Sequence, residues 1–298
     1  MQLPLLEQIL VFGKSQITTQ VIRACLWRDI PIAYLSRMGY CYGRILPIER
    51  GYRQLSRYQQ QLTAIERLLT ARQIVQAKLK NSRVILQRQQ RRQPADAIAF
   101  AIQNLEYLVE QAAQADTIER LMGFEGAGAA YYFSAFGECL SYSEFTFAGR
   151  SRRPPGNPVN AMLSFGYQLL WNHLFSLIEL QGLDPYEGCL HQGSDRHAAL
   201  TSDLLEEFRA PIVDSLVLYL VNHRIVNIED FDHVEDGGCY LNESGRKKFL
   251  RSFLLRMEEP LETQDGTQPR WDLLNRQVKA YKQFVYDVGT GYKPYRIR

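Results

Sequence analysis

The feature that most constrains the fold is a run of 40 residues, 53–92, that contains neither glycine nor proline. Both residues destabilise helix interiors, so their absence over this length favours a helix. Its apolar stripe consists of Leu62, Ile65, Leu69 and Ile74, and arginines and lysines take many of the other positions. The run predicts one long helix, with Asn81 as the place where it could break.

The first 50 residues follow a different pattern, in which short apolar runs alternate with turns. Three runs are typical of strands because they are rich in Ile, Val, Leu and Tyr: LEQILVF, IPIAYLS and CYGRILP. Between the first two, ITTQVIRACLWRD is amphipathic and predicts a helix. The chain is therefore expected to be an α+β protein, with a small β-rich domain over 1–50 and a large all-α domain over 51–298.

The remainder of the chain is mainly helical in pattern. Helices are predicted over 94–115, 117–140, 159–180, 197–223 and 271–286, with Pro211 kinking or breaking the fourth. Gly-Arg and Pro-Pro-Gly sequences indicate a loop over 142–158. A small hairpin is expected around Gly237–Gly238, followed by a helix that Asn242 or Ser244 caps.

Composition excludes several classes of protein. Hydrophobic residues make up 46% of the chain, enough for a sizeable core and too many for charge-driven disorder. No stretch of about 18 uncharged apolar residues is present, so no membrane span is expected. The five cysteines are far apart and form no Cys-x-x-Cys pair. This pattern is typical of a reducing cytoplasm and argues against disulfides and a cysteine-based zinc site.

The net charge of +3 hides a strong asymmetry along the chain. Residues 14–92 hold 16 Lys and Arg against 3 acids, a balance of +13, whereas residues 179–245 hold 14 acids against 3 Arg, a balance of −11. The basic region could attract a polyanion such as nucleic acid, and the acidic region could hold cations. The alternative is that both sets of charges lie on solvated faces.

An acidic cluster, SDLLEEF, follows His191 by about a dozen residues. Asp203, Glu206 and Glu207 are spaced to lie near one face of a helix, where like charges repel. One interpretation is that Thr201 or Ser202 caps the helix and the acids favour its first turns. The other is a site for Mg²⁺ or Mn²⁺, since carboxylates with one histidine and no cysteine suit these ions.

Two further segments leave alternatives open. In LMGFEGAGAAYYF, Glu125 stands among small residues that either allow close helix packing or let a substrate approach a carboxylate. In GRSRRPPGNPVNAMLSFGYQLL the polar residues belong either to a solvated loop or to a phosphate-binding channel. The residues concerned are Arg150, Arg152, Arg153, Asn160 and Tyr167.

Several segments, in order, resemble the spacer integrase family called CRISPR-associated protein one. They are LEQILVFGKSQIT, IPIAYLSRMGYCYGRI, ARQIVQAKLKNSR, LMGFEGAGAAYYF, FAGRSRRPPGNPVNAMLSFGYQLL, the His191 segment through SDLLEEFRAPIVD, and LNESGRKKFL. The resemblance extends over essentially the whole chain. It implies a small N-terminal β domain that builds a homodimer and a C-terminal all-helical domain that holds the active site.

The resemblance also implies a function and a site. The family's ligands for Mg²⁺ or Mn²⁺ correspond to Glu125, His191 and Glu206, with Asp203 as a further ligand or a group behind them. Glu207 is expected to pair with Arg209 or water. The implied reaction is metal-dependent transesterification, in which the 3′-hydroxyl of a prespacer strand attacks the CRISPR repeat, or hydrolysis when water replaces it. Residues expected to contact DNA are Arg72, Lys78, Arg83, Arg150, Arg152, Arg153, Asn160, Tyr167 and Arg196.

The implied partners are double-stranded DNA, as prespacer and repeat, and CRISPR-associated protein two, a small dimer that bridges two homodimers. The expected location is the prokaryotic cytoplasm. Because LPLLEQILVFG lies inside the family's β domain, the chain is also expected to lack the start of that domain, and a fused reverse transcriptase could precede it. A catalytically inactive DNA-binding subunit or an assembly scaffold is the alternative function.

Overall fold

The computed structural model describes residues 6, 8–36, 41–48, 53–194, 197–235, 237–263 and 266–297. Within them, an N-terminal unit of three strands and one helix precedes a much larger helical region. This is the α+β architecture expected from the sequence. The expected domain boundary, between residues 50 and 51, lies outside the described residues and stays a prediction.

The N-terminal unit is a three-stranded sheet in the order β1-β2-β3, formed by β1 (Ile9–Phe12), β2 (Ile32–Leu35) and β3 (Cys41–Ile45). β1 and β2 are parallel because α1 (Thr19–Leu26) crosses between them, and β3 returns antiparallel to β2. Val11, Cys25, Ile30 and Ile32 form its small core. All three predicted strands and the predicted helix are confirmed.

The glycine-free run forms two helices, α2 (Arg53–Gln61) and α3 (Ala64–Arg92). The expected position of the break was wrong. The chain turns at Leu62 and Thr63, because Thr63 and Glu66 form a capping box in which each side chain bonds the other's backbone N–H. α3 continues through Asn81, whose buried amide is satisfied by tertiary bonds.

Two more helices pack on α3, namely α4 (Asp96–Gln114) and α5 (Ile118–Phe136). The contact with α5 is close at Gly128, where a Cβ would lie 2.2 Å from the Leu79 side chain. The interpretation of the glycines as packing residues therefore holds at Gly128. It is wrong for Gly123 and Gly126, where an added Cβ would meet nothing within 4 Å.

The central helix is α6 (Pro158–Leu180), which is buried along most of its length and follows the predicted loop. The N-terminal sheet docks on it through polar contacts. The buried His173 ring bonds Gln8, whose amide also donates to Ser176, and Arg44 donates to Asn172. These contacts fix the small unit against the helical region.

The C-terminal half wraps around α6. It comprises α7 (Ala199–Leu205), a π-helical turn (Arg209–Asp214), α8 (Ser215–Asn222), the hairpin β4 (Phe231–His233) and β5 (Cys239–Leu241), α9 (Glu243–Glu258), the hairpin β6 (Pro260–Thr263) and β7 (Gly266–Pro269), and α10 (Arg270–Tyr286). The break at Pro211, the first hairpin and the Asn242 cap are confirmed, while the β6–β7 hairpin was not foreseen. Of the helices described, none is long and apolar enough to span a membrane.

Candidate active site

Three elements bring one cation and two carboxylates together inside the helical region. Lys78 comes from α3, Glu125 from α5, and Glu206 from the turn after α7. The Lys78 ammonium contacts the Glu125 carboxylate and lies 2.6 Å from Oε2 of Glu206. The side chains of Glu206, Lys78 and Glu125 are 2%, 10% and 23% exposed, so the cluster opens to solvent on the Glu125 side.

Glu206 is charged despite its burial. Burial opposes ionisation, but Arg209, Lys78 and His191 outweigh it and lower the pKa of the Glu206 carboxyl to about 2. Oε1 is 3.3 Å from an Arg209 nitrogen, whereas Oε2 is buried and has the Lys78 ammonium as its close polar neighbour. A buried carboxylate oxygen that is held by charge alone is available to a cation.

Capping does not explain the acidic cluster. α7 begins at Ala199, and its N-cap, Ala198, offers no side-chain bond. Asp203 and Glu206 lie at the other end of the helix, where the helix dipole disfavours negative charge. The helix dipole therefore does not stabilise these carboxylates, and neighbouring charged and hydrogen-bonding groups must compensate their negative charge.

His191 stands beside this cluster in a loop that Asp203 organises. Asp203 Oδ2 accepts bonds from the backbone N–H groups of Cys189 and Leu190, and Oδ1 accepts from His191 N and from His191 Nδ1 at 2.7 Å. Because Nδ1 is used, Nε2 is the ring nitrogen left for a ligand. Burial disfavours the imidazolium, but the hydrogen bond and charge of Asp203, with the charge of Glu206, raise the pKa of His191.

The loop fits against Asp203 because Gly188 has no side chain. A Cβ there would lie 2.9 Å from Asp203 Oδ2 and 2.7 Å from the Ala199 Cβ. A cleft of about 820 Å³ opens on the outer side of the loop, lined in part by Arg67, Tyr186 and His191. The imidazole thus lies between the carboxylate cluster and an open cleft.

Glu207 has a different environment from the one expected. It is buried and pairs with neither Arg209 nor solvent; its carboxylate accepts bonds from the Tyr292 hydroxyl and from Tyr295 N. Burial raises the pKa of Glu207 to about 8, against the smaller opposing effect of these two bonds. Asn81 on α3 bonds the same segment through Glu207 O, Tyr295 O and Ile297 N. The basic C-terminal tail is therefore tied directly behind the site.

Several residues expected to bind DNA are engaged within the protein. Lys78 was expected to contact DNA; its side chain is held between two carboxylates, and its role in DNA binding stays a prediction. Asn160 is buried and braces the loop through Arg150 Nη1, Ser151 N and Gly149 O. The Tyr167 hydroxyl donates to Asp214, and Arg209 lies 4.9 Å over its ring.

The remaining basic residues differ in how available they are. Arg72 donates to Ala115 O, and Arg83 pairs with Glu106 at 2.6 Å. Arg152 and Arg153 are exposed, and Arg152 lines the small cavity next to Lys78, Glu206 and Arg209. Arg196 lies outside the described residues. Roles of these side chains in DNA binding stay predictions.

Sequence reasoning did not anticipate that Lys78 is buried, although a signal was present. Lys78 follows Ile74 and Val75 at helical spacing and precedes Asn81 and Ser82. These polar residues continue the buried stripe and are themselves buried, a pattern typical of groups with interior partners.

In the part of the chain that the structure describes, no three His, Cys, Asp or Glu side chains are close enough together to hold a metal ion.

Comparisons with known proteins identify the family. The profile described as CRISPR associated protein Cas1 matches residues 1–254, and the chain belongs to this family. It is 36% identical over 305 aligned positions to a protein of Geobacter sulfurreducens named as a CRISPR-associated exonuclease Cas4/endonuclease Cas1 fusion, covering 94% of this chain and 54% of that protein. A CRISPR-associated endonuclease Cas1 of Methanospirillum hungatei is 30% identical, covering 98% of this chain and 87% of the relative. The chain thus spans about half of the fusion protein and most of the other.

Solved structures share the fold. A Cas1 protein from Thermotoga maritima superposes with a TM-score of 0.79 at 29% identity, covering 94% of this chain and 86% of that one. A chain of a Cas6-RT-Cas1–Cas2 complex superposes with a TM-score of 0.82 at 23% identity, covering 98% of this chain and 32% of that one. Similar folds therefore occur both alone and within a larger polypeptide.

Proposed function

We propose that this protein is a DNA integrase and endonuclease of CRISPR adaptation that depends on Mg²⁺ or Mn²⁺. The observation that carries the proposal is the convergence of Glu125 and Glu206 on one cation beside His191, in a member of the Cas1 family. Relatives that are named as endonucleases support activity on phosphodiester bonds. The proposed substrates are prespacer duplexes and the CRISPR repeat.

The chemical types of the donors suit the proposed ion, and the three side chains would have to move closer together to hold it. Two carboxylates and one imidazole, with no thiolate, are ligands that suit Mg²⁺ or Mn²⁺. Glu206 Oε2 is contacted by the charge of Lys78 rather than by a backbone donor, and Glu125 lies on the solvent side, where an ion can enter. We therefore assign Glu125, His191 and Glu206 as the ligands. When bound, the ion would polarise the target phosphate and stabilise the leaving oxygen.

The surrounding residues hold this set in place. Asp203 uses both oxygens on the His191 loop, so we assign it a positioning role in which it fixes the ring and directs Nε2 toward the ligand site. Arg209 fixes the other oxygen of Glu206 and is itself stacked on Tyr167. Arg152, which lines the small cavity next to Lys78, and the exposed Arg153 that follows it would bind DNA phosphates largely without reading sequence.

The proposed reaction exchanges one phosphodiester bond for another. The 3′-hydroxyl oxygen of the prespacer strand attacks the target phosphorus in line and forms a new P–O bond. The P–O bond to the repeat's 3′ oxygen breaks, and that oxygen takes up the proton that the nucleophile loses. With water as nucleophile the same bond is hydrolysed, which accounts for an endonuclease activity in the same site.

Assembly is proposed by analogy with the family. The N-terminal sheet would build a homodimer, and a small Cas2 dimer would bridge two of these dimers. The solved complex containing Cas6, RT, Cas1 and Cas2 supports both a Cas2 partner and a fused reverse transcriptase as proposals for this protein.

A strand-transfer assay tests the function. The protein and Cas2 are incubated with a labelled short duplex and supercoiled plasmid that carries a leader and repeat, in Mn²⁺, Mg²⁺ or EDTA. We expect label joined to plasmid only with divalent ion and a free 3′-hydroxyl, and none with Glu125→Gln, His191→Ala or Glu206→Gln. Duplex binding by these variants should stay within about threefold, because phosphate contacts lie elsewhere. Joining at the wild-type rate by any of them would remove that residue from the ligand set.

A further inference from the structure

Lys78 occupies the place in this site where charge balance needs a cation. Its ammonium is in direct contact with both Glu125 and Glu206, and it is nearly shielded from solvent. A buried carboxylate such as Glu206 beside a second carboxylate would be destabilising without a cation between them. The lysine therefore lets the two carboxylates stand together when no metal ion is bound.

The same position makes Lys78 a competitor of any metal ion. Lys78 and Arg209 together supply two positive charges against the three carboxylates Glu125, Glu206 and Asp203, of which Asp203 is bonded to the His191 loop. A divalent ion on the same carboxylates would leave the group with an excess of positive charge at short range. Charges of the same sign at such distances repel strongly even with partial screening by solvent.

Of the two cations, Lys78 is the one that a metal ion can displace from the carboxylates more easily. Arg209 is stacked on the Tyr167 ring and bound to the oxygen of Glu206 that faces away from Lys78. A lysine side chain is a flexible four-carbon chain that ends in a compact ammonium group. A small cavity that Arg152 and Tyr167 also line adjoins Lys78, and the ammonium can move into it.

We infer that Lys78 is an exchangeable counter-cation: it neutralises Glu125 and Glu206 in the metal-free protein and is displaced from them when a divalent cation binds. The inference rests on the proposed function, since it requires Glu125 and Glu206 to be ligands. It assigns Lys78 a positioning role, in which it keeps the ligands assembled between catalytic cycles. Once displaced, the ammonium is free to pair with a DNA phosphate at the edge of the site.

The test is Mn²⁺ binding to metal-free protein by calorimetry, together with thermal unfolding with and without Mn²⁺. The variant is Lys78→Met, and the matched control is Lys80→Met, two residues further along α3, where Arg83 and Arg296 are the charged neighbours. We expect Lys78→Met to bind Mn²⁺ at least about tenfold more tightly than wild type, because no ammonium must be displaced. Its metal-free form should melt below wild type, and Mn²⁺ should raise its melting temperature more than that of wild type or Lys80→Met.

Other outcomes are equally decisive. Lys78→Met that folds only in Mn²⁺ would support exchange, whereas Lys78→Met that stays unfolded in Mn²⁺, or binds Mn²⁺ no more tightly than Lys80→Met, would overturn it. Glu125→Gln in the wild-type background separates this inference from the proposed function. If Glu125→Gln leaves Mn²⁺ affinity unchanged, the ligand assignment fails; if it weakens binding while Lys78→Met does not strengthen it, only the counter-cation role fails.

Discussion

Glu206 and Glu207 are neighbours in the chain and are both buried, yet their carboxyl groups have pKa values of about 2 and about 8. Glu206 faces Lys78 and Arg209, whose charges favour its ionised form. Glu207 faces the Tyr292 hydroxyl and a backbone N–H, which do not offset the cost of burial. Partners rather than burial decide the charge of a buried acid.

The contrast extends beyond this turn. The site forms a charged region in which Lys78, Glu125, Glu206 and Arg209 compensate one another. Other buried titratable groups, such as Glu207 and His173, are hydrogen-bonded to uncharged groups, and these positions together are called the neutral region. His173 bonds Gln8, and burial lowers its pKa to about 4. The charged region is suited to binding an ion, and the neutral region holds the fold together.

The largest effect on stability is expected from protonating the buried His173. The folded-state pKa of His173 lies below the unfolded value, so the unfolded protein binds the proton more readily, and stability present above pH 6.5 is lost as the pH falls toward 4. The expected loss is about 3 kcal/mol in the free energy of unfolding. His173→Gln should remove this part of the pH dependence, and His223→Gln, an exposed control, should not. Equal acid sensitivity of all three proteins in urea titrations would show that His173 is not buried as a neutral ring.

The next largest effect, on the rate of strand transfer, is expected from removing the carboxylate that orients His191. Asp203→Asn removes the negative charge that orients His191 and weakens its bonds to the loop. Loss of such a supporting group costs roughly 10- to 100-fold in activity or metal affinity. We expect the initial rate of strand transfer to fall by about this factor, with the pH profile shifted because His191 titrates differently. Glu207→Gln, one helical turn away, should leave the rate within about threefold. If Asp203→Asn and Glu207→Gln lowered the rate of strand transfer by similar factors, Asp203 would have no special role in supporting the site.

A smaller change is expected where the tail meets Glu207. Tyr292→Phe removes the hydroxyl that bonds this carboxyl and also accepts a bond from Gln277. Leaving those groups without a partner should lower the free energy of unfolding by about 1–3 kcal/mol. Tyr286→Phe is the matched control, because Tyr286 is 56% exposed. Chemical denaturation that ranks the two variants alike would show that the tail does not hold Glu207.

These distinctions were only partly available from the sequence. The helices, the strands and the nearness of Glu206 to Asp203 follow from local pattern, and the loop with His191 was recognised by family resemblance. The carboxylate partners of Lys78 were not foreseen, because they depend on which face of α3 meets α5. The partners of Glu207 lie 85 and 88 residues further along the chain, and no local pattern specifies such a return.

The smallest effect is expected at the DNA-binding surface. Arg152 is exposed near the site, whereas Arg83 already pairs with Glu106. Arg152→Ala should weaken duplex binding and reduce the slope of log affinity against log salt by about 0.9, the value for one phosphate contact. Arg83→Ala should change the affinity for the duplex and the salt slope less than Arg152→Ala does. A larger effect at Arg83 than at Arg152 would place the DNA along the outer face of α3.

The most direct test of the central claim is Mn²⁺ titration of Glu206→Gln and Glu207→Gln by calorimetry, with circular dichroism to confirm that both are folded. The two variants make the same chemical change at adjacent buried positions. We expect Glu206→Gln to weaken Mn²⁺ binding by at least about thirtyfold, because a charged ligand is lost, and Glu207→Gln to stay within about threefold of wild type. Equal affinities of the two folded variants would contradict the account, because Glu206 would then be no more a metal ligand than its neighbour.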